Sequence, residues 1–154
     1  MSTTATETEI HTIDLRKEID VDAPLDVTFE AVLEELGPGS ELPDGTSMKM
    51  KIEPWPGGRW FRDLGDDTGH LWGHVQVIKP PALLEICGPL FMSYPAVNFV
   101  QYRLTPKGKG AHLVVSHRAF GHIPEQDREG VQEGWAHGLN RIRELAAKRL
   151  AERR

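Results

Sequence analysis

"PEQDREGVQEGWAHGLNRIRELAAKRLAE", residues 124–152, is the stretch whose periodicity decides the fold. Val131, Trp135, Leu139, Ile142, Leu145, Ala146 and Leu150 recur at helical intervals and form one apolar stripe. Pro124 suits the first helical turn, and Glu125 and Asp127 favour the positive pole of the helix dipole. The spacing predicts a helix from Pro124 to Glu152, about 42 Å long. A stripe of that length must lie on an apolar surface, and the residues before it supply one as a sheet.

"IHTIDLRKEIDV" alternates, with Ile13, Leu15, Ile19 and Val21 on one face, as a half-buried strand does. Asp22 stands as a helix cap and Pro24 as a first-turn residue, so a first helix is expected from Pro24 to Leu36, closed at Gly37-Pro38-Gly39. "MKMKIEPW" alternates again, with Met48, Met50 and Ile52 on one face, and Gly57-Gly58 turns the chain into "RWFRDL". After "GDDTG", the segment "HLWGHVQVI" is expected to send Leu71, Gly73, Val75 and Val77 to the core and His70, Trp72, His74 and Gln76 outward. "ALLEICG", "VNFVQYRL" and "AHLVVSHRAF" complete a meander, with "TPKGKG" as the loop between the last two. The fold class is α+β: an antiparallel sheet of about six or seven strands covered by a long C-terminal helix.

Candidate site residues follow from this placement. Val100, Tyr102 and Leu104 share a face, as do Leu113, Val115 and His117, so a hydroxyl and an imidazole stand on otherwise apolar surfaces. Each is read as a satisfied core group or as a ligand contact, and His117 also as a proton carrier. Gly130, Gly134 and Gly138 recur every fourth residue beside the helix stripe. Their helix cost of about 1 kcal/mol each calls for compensation, by close approach to the sheet or by open volume for a guest. Trp60, Arg62, Tyr102, His117, Gly134, Trp135, Gly138 and Leu139 are the expected ligand-binding set, with Trp55 and Trp60 at the rim. No catalytic residue is assigned. Ser116 and His117 are strand neighbours that point to opposite faces, and Cys87 reads as a small hydrophobe.

Several chemistries are excluded. A net charge of -5 and a pI of about 5.8 do not suit a nucleic-acid footprint. "KGKG" lacks the phosphate-loop signature, and the basic run Lys148–Arg154 reads as a solvated helix end. A single cysteine rules out an internal disulfide and a cysteine zinc site. On one strand His70 and His74 are roughly 13 Å apart, too far to share a metal ion. No metal or cofactor is expected. "MSTTATETEI" is not a signal peptide, no stretch approaches a membrane span, and a cytoplasmic protein is expected. Residues 1–9 read as a flexible N-terminus and 10–154 as one domain.

In order along the chain, "IDVDAPLDVTFEAV", "WPGGRW", "GHVQVIKPPALLEI", "VQYRLTPKGKGAHLVVSHRAFG" and "EGWAHGLNRIREL" resemble the START-like (SRPBCC) superfamily. Over roughly residues 10–150 the chain is most similar to its AHSA-type group, named after activators of a heat-shock chaperone's ATPase. The resemblance implies a helix-grip (START/Bet v-like) fold, a strongly curved sheet wrapped round the C-terminal helix with a hydrophobic cavity between them. Gly57-Gly58, Gly73, Pro80-Pro81, His117 and Trp135 match positions that the group commonly shows. In the founding members chaperone activation is tied to an additional domain, which a chain of this length is not expected to hold.

Three functions are carried forward. One is a binding module for a small, largely hydrophobic molecule held between sheet and helix, with Tyr102, His117 and Arg62 or Trp60 fixing its polar end. Another is a small polyketide-cyclase or dehydratase-like enzyme in which His117 and Tyr102 move protons in that cavity. The last is a stress- or chaperone-related interaction protein. A homodimer through an outward His70-Trp72-His74 stripe is a further expectation.

Overall fold

A computed structural model describes residues 9–153. All but the last residue of the expected flexible N-terminus therefore lies outside the described residues. The elements are β1 (His11–Val21), α1 (Leu25–Leu36), β2 (Met50–Ile52), β3 (Arg59–Gly65), β4 (Thr68–Lys79), β5 (Leu83–Gly88), β6 (Ala96–Lys107), β7 (Gly110–Gly121) and α2 (Glu125–Glu152). They build one seven-stranded antiparallel sheet in the order β1-β7-β6-β5-β4-β3-β2. Strands β2 to β7 form the expected meander, and β1 closes the far edge against β7 from His11↔Gly121 to Val21↔Ala111.

Both helices lie on one face of this sheet. From α1, Val27, Thr28, Phe29, Ala31, Val32 and Leu36 are buried; from α2, Val131, Gly138, Leu139, Ile142, Leu145 and Ala146. The facing strands contribute Leu84, Ile86, Val100, Tyr102, Leu104, Leu113 and Val115, each no more than 2 % exposed. The long helix and its stripe are as read from the sequence, with Trp135 and Leu150 half-buried at its margins. Two ion pairs tie its basic end to α1, Arg149–Glu34 at 2.7 Å and Arg153–Asp26 at 2.9 Å. None of the described helices is long and apolar enough to cross a membrane.

Local differences have local causes. Asp22 does not cap α1: Pro24 occupies the cap position at φ -59°, and no side chain bonds the free amides there. Strand β2 begins only at Met50, because Lys49 takes φ 56° and breaks the alternation after Met48. The hairpin after β3 is tighter than the sequence reading, with Asp66 and Asp67 both at positive φ as a two-residue primed turn requires. The loop expected at "TPKGKG" shrinks likewise, since β6 runs on to Lys107 and β7 starts at Gly110.

The largest difference is in β4. Trp60 pairs with Gly73 but Phe61 pairs with Leu71, so Trp72 is an extra residue on β4, and Gln76 is another between Val75↔Ile86 and Val77↔Glu85. A bulge reverses the alternation beyond it. Leu71 therefore turns outward at 42 % exposure, Trp72 packs against the core, Val77 faces away, and Ile78, opposite buried Leu84, faces inward. Val75 keeps its expected core position. The outward His70-Trp72-His74 stripe does not exist, and with it goes the surface on which the homodimer expectation rested.

The α2 glycines also depart from the sequence reading. Gly130 and Gly134 are exposed, and a Cβ on either would meet nothing within 4 Å. They neither approach the sheet nor line its interior. Only Gly138 is buried, where a Cβ would stand 3.3 Å from Glu35 Oε1. Gly58 is the opposite case, since a Cβ there would lie 1.9 Å from the Glu53 carbonyl oxygen.

The two kinds of glycine should separate in a urea titration. Gly134→Ala raises unfolding free energy by about 1 kcal/mol, the helix-propensity difference with no steric penalty. Gly58→Ala lowers it by roughly 3 kcal/mol or more, because the added carbon must displace backbone.

Candidate functional site

The inner face of β6 and β7 carries the polar centre. Asn98, His117 and Tyr102 are each no more than 1 % exposed. Trp135 reaches down from α2 and donates its Nε1–H to His117 Nδ1 at 3.0 Å. That bond leaves Nε2 as the protonated nitrogen of a neutral ring, donating to Asn98 Oδ1 at 2.7 Å. The Asn98 amide in turn donates to the Pro89 carbonyl at 3.2 Å. Both His117 nitrogens are thus engaged within the protein. Burial without a counter-charge pushes its pKa down to about 4. A ring so held is a structural link, and the expected ligand-orienting and proton-carrying roles lose their atoms.

Tyr102 is the contrasting case. Its ring packs edge-on against Trp135 at 6.2 Å between centroids, but among the described residues its buried hydroxyl has no hydrogen-bond partner. Burial, and then the nearby Glu35 charge, hold its pKa well above the ordinary value. Glu35 enters from α1 and faces Gly138 of α2. Among the described residues its carboxyl makes no hydrogen bond or ion pair, and desolvation raises its pKa to about 7 against the opposing pull of Arg141. The residue as a whole is half-buried. An unpartnered hydroxyl and an unpartnered carboxyl therefore share the space between α1, α2 and β6.

Toward β3 and β4 the same face is aromatic. Trp60 is buried and donates its Nε1–H to the Leu36 carbonyl at 2.8 Å, so it is a core link and not a rim residue. Trp72 meets Trp60 at 5.0 Å and Phe91 at 6.2 Å, and its buried Nε1 has no partner among the described residues. Trp55 is 55 % exposed. Arg62, two residues beyond Trp60, pairs across the strands with Met50 and His70 and is half-buried on this inner face. The closest helix backbone lies against β1, β2, β6 and β7.

The structure does not bring the expected set together at one polar end. Tyr102 lies in the cross-strand row Ile78–Leu84–Tyr102, whereas Arg62 lies opposite His70, roughly 20 Å away along β4. Trp135, Gly138 and Tyr102 cluster with Glu35, Leu139 belongs to the core, and Gly134 faces solvent. Two grooves, of about 540 and 500 Å³, lie outside this region, the first between α1, the end of α2 and Pro80-Pro81 and the second along β1 and Lys107–Ala111.

Titration of the two buried groups gives a test. His117 binds its proton more weakly folded than unfolded, so it contributes stability above about pH 6.5 that is lost as pH falls toward 4. Glu35 has a raised pKa, so its contribution is present below about pH 4.5 and is lost as pH rises to 7. Glu35→Gln should be about 2 kcal/mol more stable than the parent at pH 8 and no different at pH 4, read by chemical denaturation. Equal stabilities at both pH values would remove the buried, unpaired carboxyl from the account.

The profile of the family described as "Activator of Hsp90 ATPase homolog 1-like protein" matches residues 22–147. No curated protein sequence matches the chain. Among solved structures, an uncharacterised protein from Rhizobium leguminosarum is similar at 15% identity with a TM-score of 0.71, covering 91% of this chain and 97% of that one. CalU16 from Micromonospora echinospora is similar at 22% identity and TM-score 0.59, covering 95% of this chain and 82% of its own. DynU16, from the dynemicin biosynthetic locus, is similar at 18% identity and TM-score 0.62, covering 85% of this chain and 46% of its own. At these identities the likeness is one of fold, a curved antiparallel sheet closed by a long C-terminal helix.

Proposed function

The chain belongs to the activator of Hsp90 ATPase homolog 1-like family, of the START-like fold, and on that premise we propose that it binds a small, largely apolar molecule between the sheet and α2. The observation that carries this reading is the Tyr102 hydroxyl, fully buried and without a hydrogen-bond partner among the described residues. An unsatisfied buried hydroxyl costs about 1–3 kcal/mol, which a guest that bonds it returns. Glu35 beside it supplies a second unpartnered group. Trp72 and Trp135, both half-buried, give the apolar walls that fix a guest's body. The shared fold of CalU16 and of DynU16, with its biosynthetic locus, is consistent with a small-molecule setting.

A second reading, a cyclase- or dehydratase-like enzyme, draws on one observation. A carboxyl whose pKa is raised to about 7 next to a phenol is suited to proton transfer near neutral pH. In that reading Glu35 and not His117 carries the proton.

Native mass spectrometry of freshly purified protein, followed by identification of any released compound, tests the binding reading directly. Tyr102→Phe then discriminates site from core. Removing an unpaired hydroxyl should stabilise the empty protein by about 1 kcal/mol while weakening the captured compound by about tenfold. A variant that is destabilised and binds unchanged would show that the hydroxyl serves the core.

A further inference from the structure

Charged side chains on the outer face of β2 and β3 are paired. Arg59 forks onto Glu53 at 2.8 and 2.9 Å, and Lys51 meets Asp63 at 2.7 Å. Arg62, on the inner face, is not. Among the described residues only two arginines make no hydrogen bond or ion pair, Arg103, which is exposed, and Arg62, which is half-buried with its Nε–H fully enclosed. Its cross-strand neighbours are Met50 and His70, and the next residue of its face is Trp60, none of them acidic.

A guanidinium is permanently charged and presents a planar fork of donors that matches a carboxylate. Burying one of those donors without an acceptor is unfavourable, so the arrangement is complete only when an anion arrives. Trp72 and Phe91, with ring centroids 6.2 Å apart, offer an apolar wall along β4.

We infer that the molecule bound between sheet and helix is an amphipathic organic acid, whose anionic group is held by Arg62 while its apolar body lies along Trp72. The inference rests on the cleft-binding reading above and adds the chemical class of the ligand and its direction. The anion lies far from Tyr102 and Glu35, so the inner end of the ligand is uncharged.

Two fluorescent probes with the same apolar body test this, anilinonaphthalene sulfonate, which is anionic, and phenylnaphthylamine, which is neutral. Both are titrated against the parent protein, Arg62→Gln and Arg103→Gln. The expected result is a dissociation constant for the sulfonate about tenfold higher in Arg62→Gln, the neutral probe unchanged, and neither probe affected by Arg103→Gln. If both probes bind and Arg62→Gln weakens neither, or weakens both equally, the anion anchor is overturned while the cleft stands. If Arg103→Gln weakens the sulfonate as much as Arg62→Gln does, the attraction is general surface charge and the anchor is overturned. If the parent binds neither probe, the cleft reading fails as well.

Discussion

The hydrogen-bonded line from Trp135 through His117 to Asn98 holds the molecule in register. It joins α2 to β7, β7 to β6, and β6 to the loop at Pro89, and every link is a buried polar group satisfied by the next. Hydrophobic contact alone would press α2 onto the sheet but would allow it to slide, because apolar attraction has no direction. A donor in Trp135 that must meet an acceptor in His117 fixes the position of the helix along the strands. The same line sets the histidine tautomer. It also explains why an imidazole at the centre of the core is poor material for acid–base chemistry: protonating it would place a second proton on Nδ1, where the Trp135 N–H already points.

With the helix fixed, the bulges in β4 decide what the helix faces. The extra residue at Trp72 turns that indole inward beside Trp60, and the extra residue at Gln76 restores an inward side chain at Ile78. Without the first bulge, Leu71 would occupy the inner face and Trp72 the outer. The inner face would then present an aliphatic side chain there in place of a ring. Strongly curved sheets need such irregularities, because uninterrupted ladders resist sharp bending.

Much of this could be read from residue order. The period of α2 was plain because its stripe runs unbroken for seven positions, and β1, β5, β6 and β7 alternate cleanly because their pairing is regular. Strand β4 misled for a physical reason: a bulge is a relation between two strands, and one strand's alternation does not contain it. Gly130 and Gly134 misled because a helical glycine looks the same facing solvent or facing a wall. Glu35 was missed although a signal existed. It follows Ala31 by four residues and Val32 by three, which sets a carboxylate on the buried stripe of α1. A charged residue in that register belongs with Tyr102 and His117 among polar groups on apolar faces.

On the binding proposal, Glu35 and Arg62 at opposite ends of the inner face give the bound molecule a direction that neither residue supplies alone. In a poorly solvated interior, an acid group carried to the inner end would lose its water and meet a carboxyl that ionises near pH 7, so both desolvation and repulsion oppose it there. At the β3–β4 end the same group keeps partial access to water and meets an unpaired cation. Orientation is then selected by what the inner end refuses as much as by what the outer end attracts. On this account the unpaired hydroxyl and carboxyl are tolerated in the empty protein because they discriminate between ligand ends, a function that a fully satisfied core could not perform.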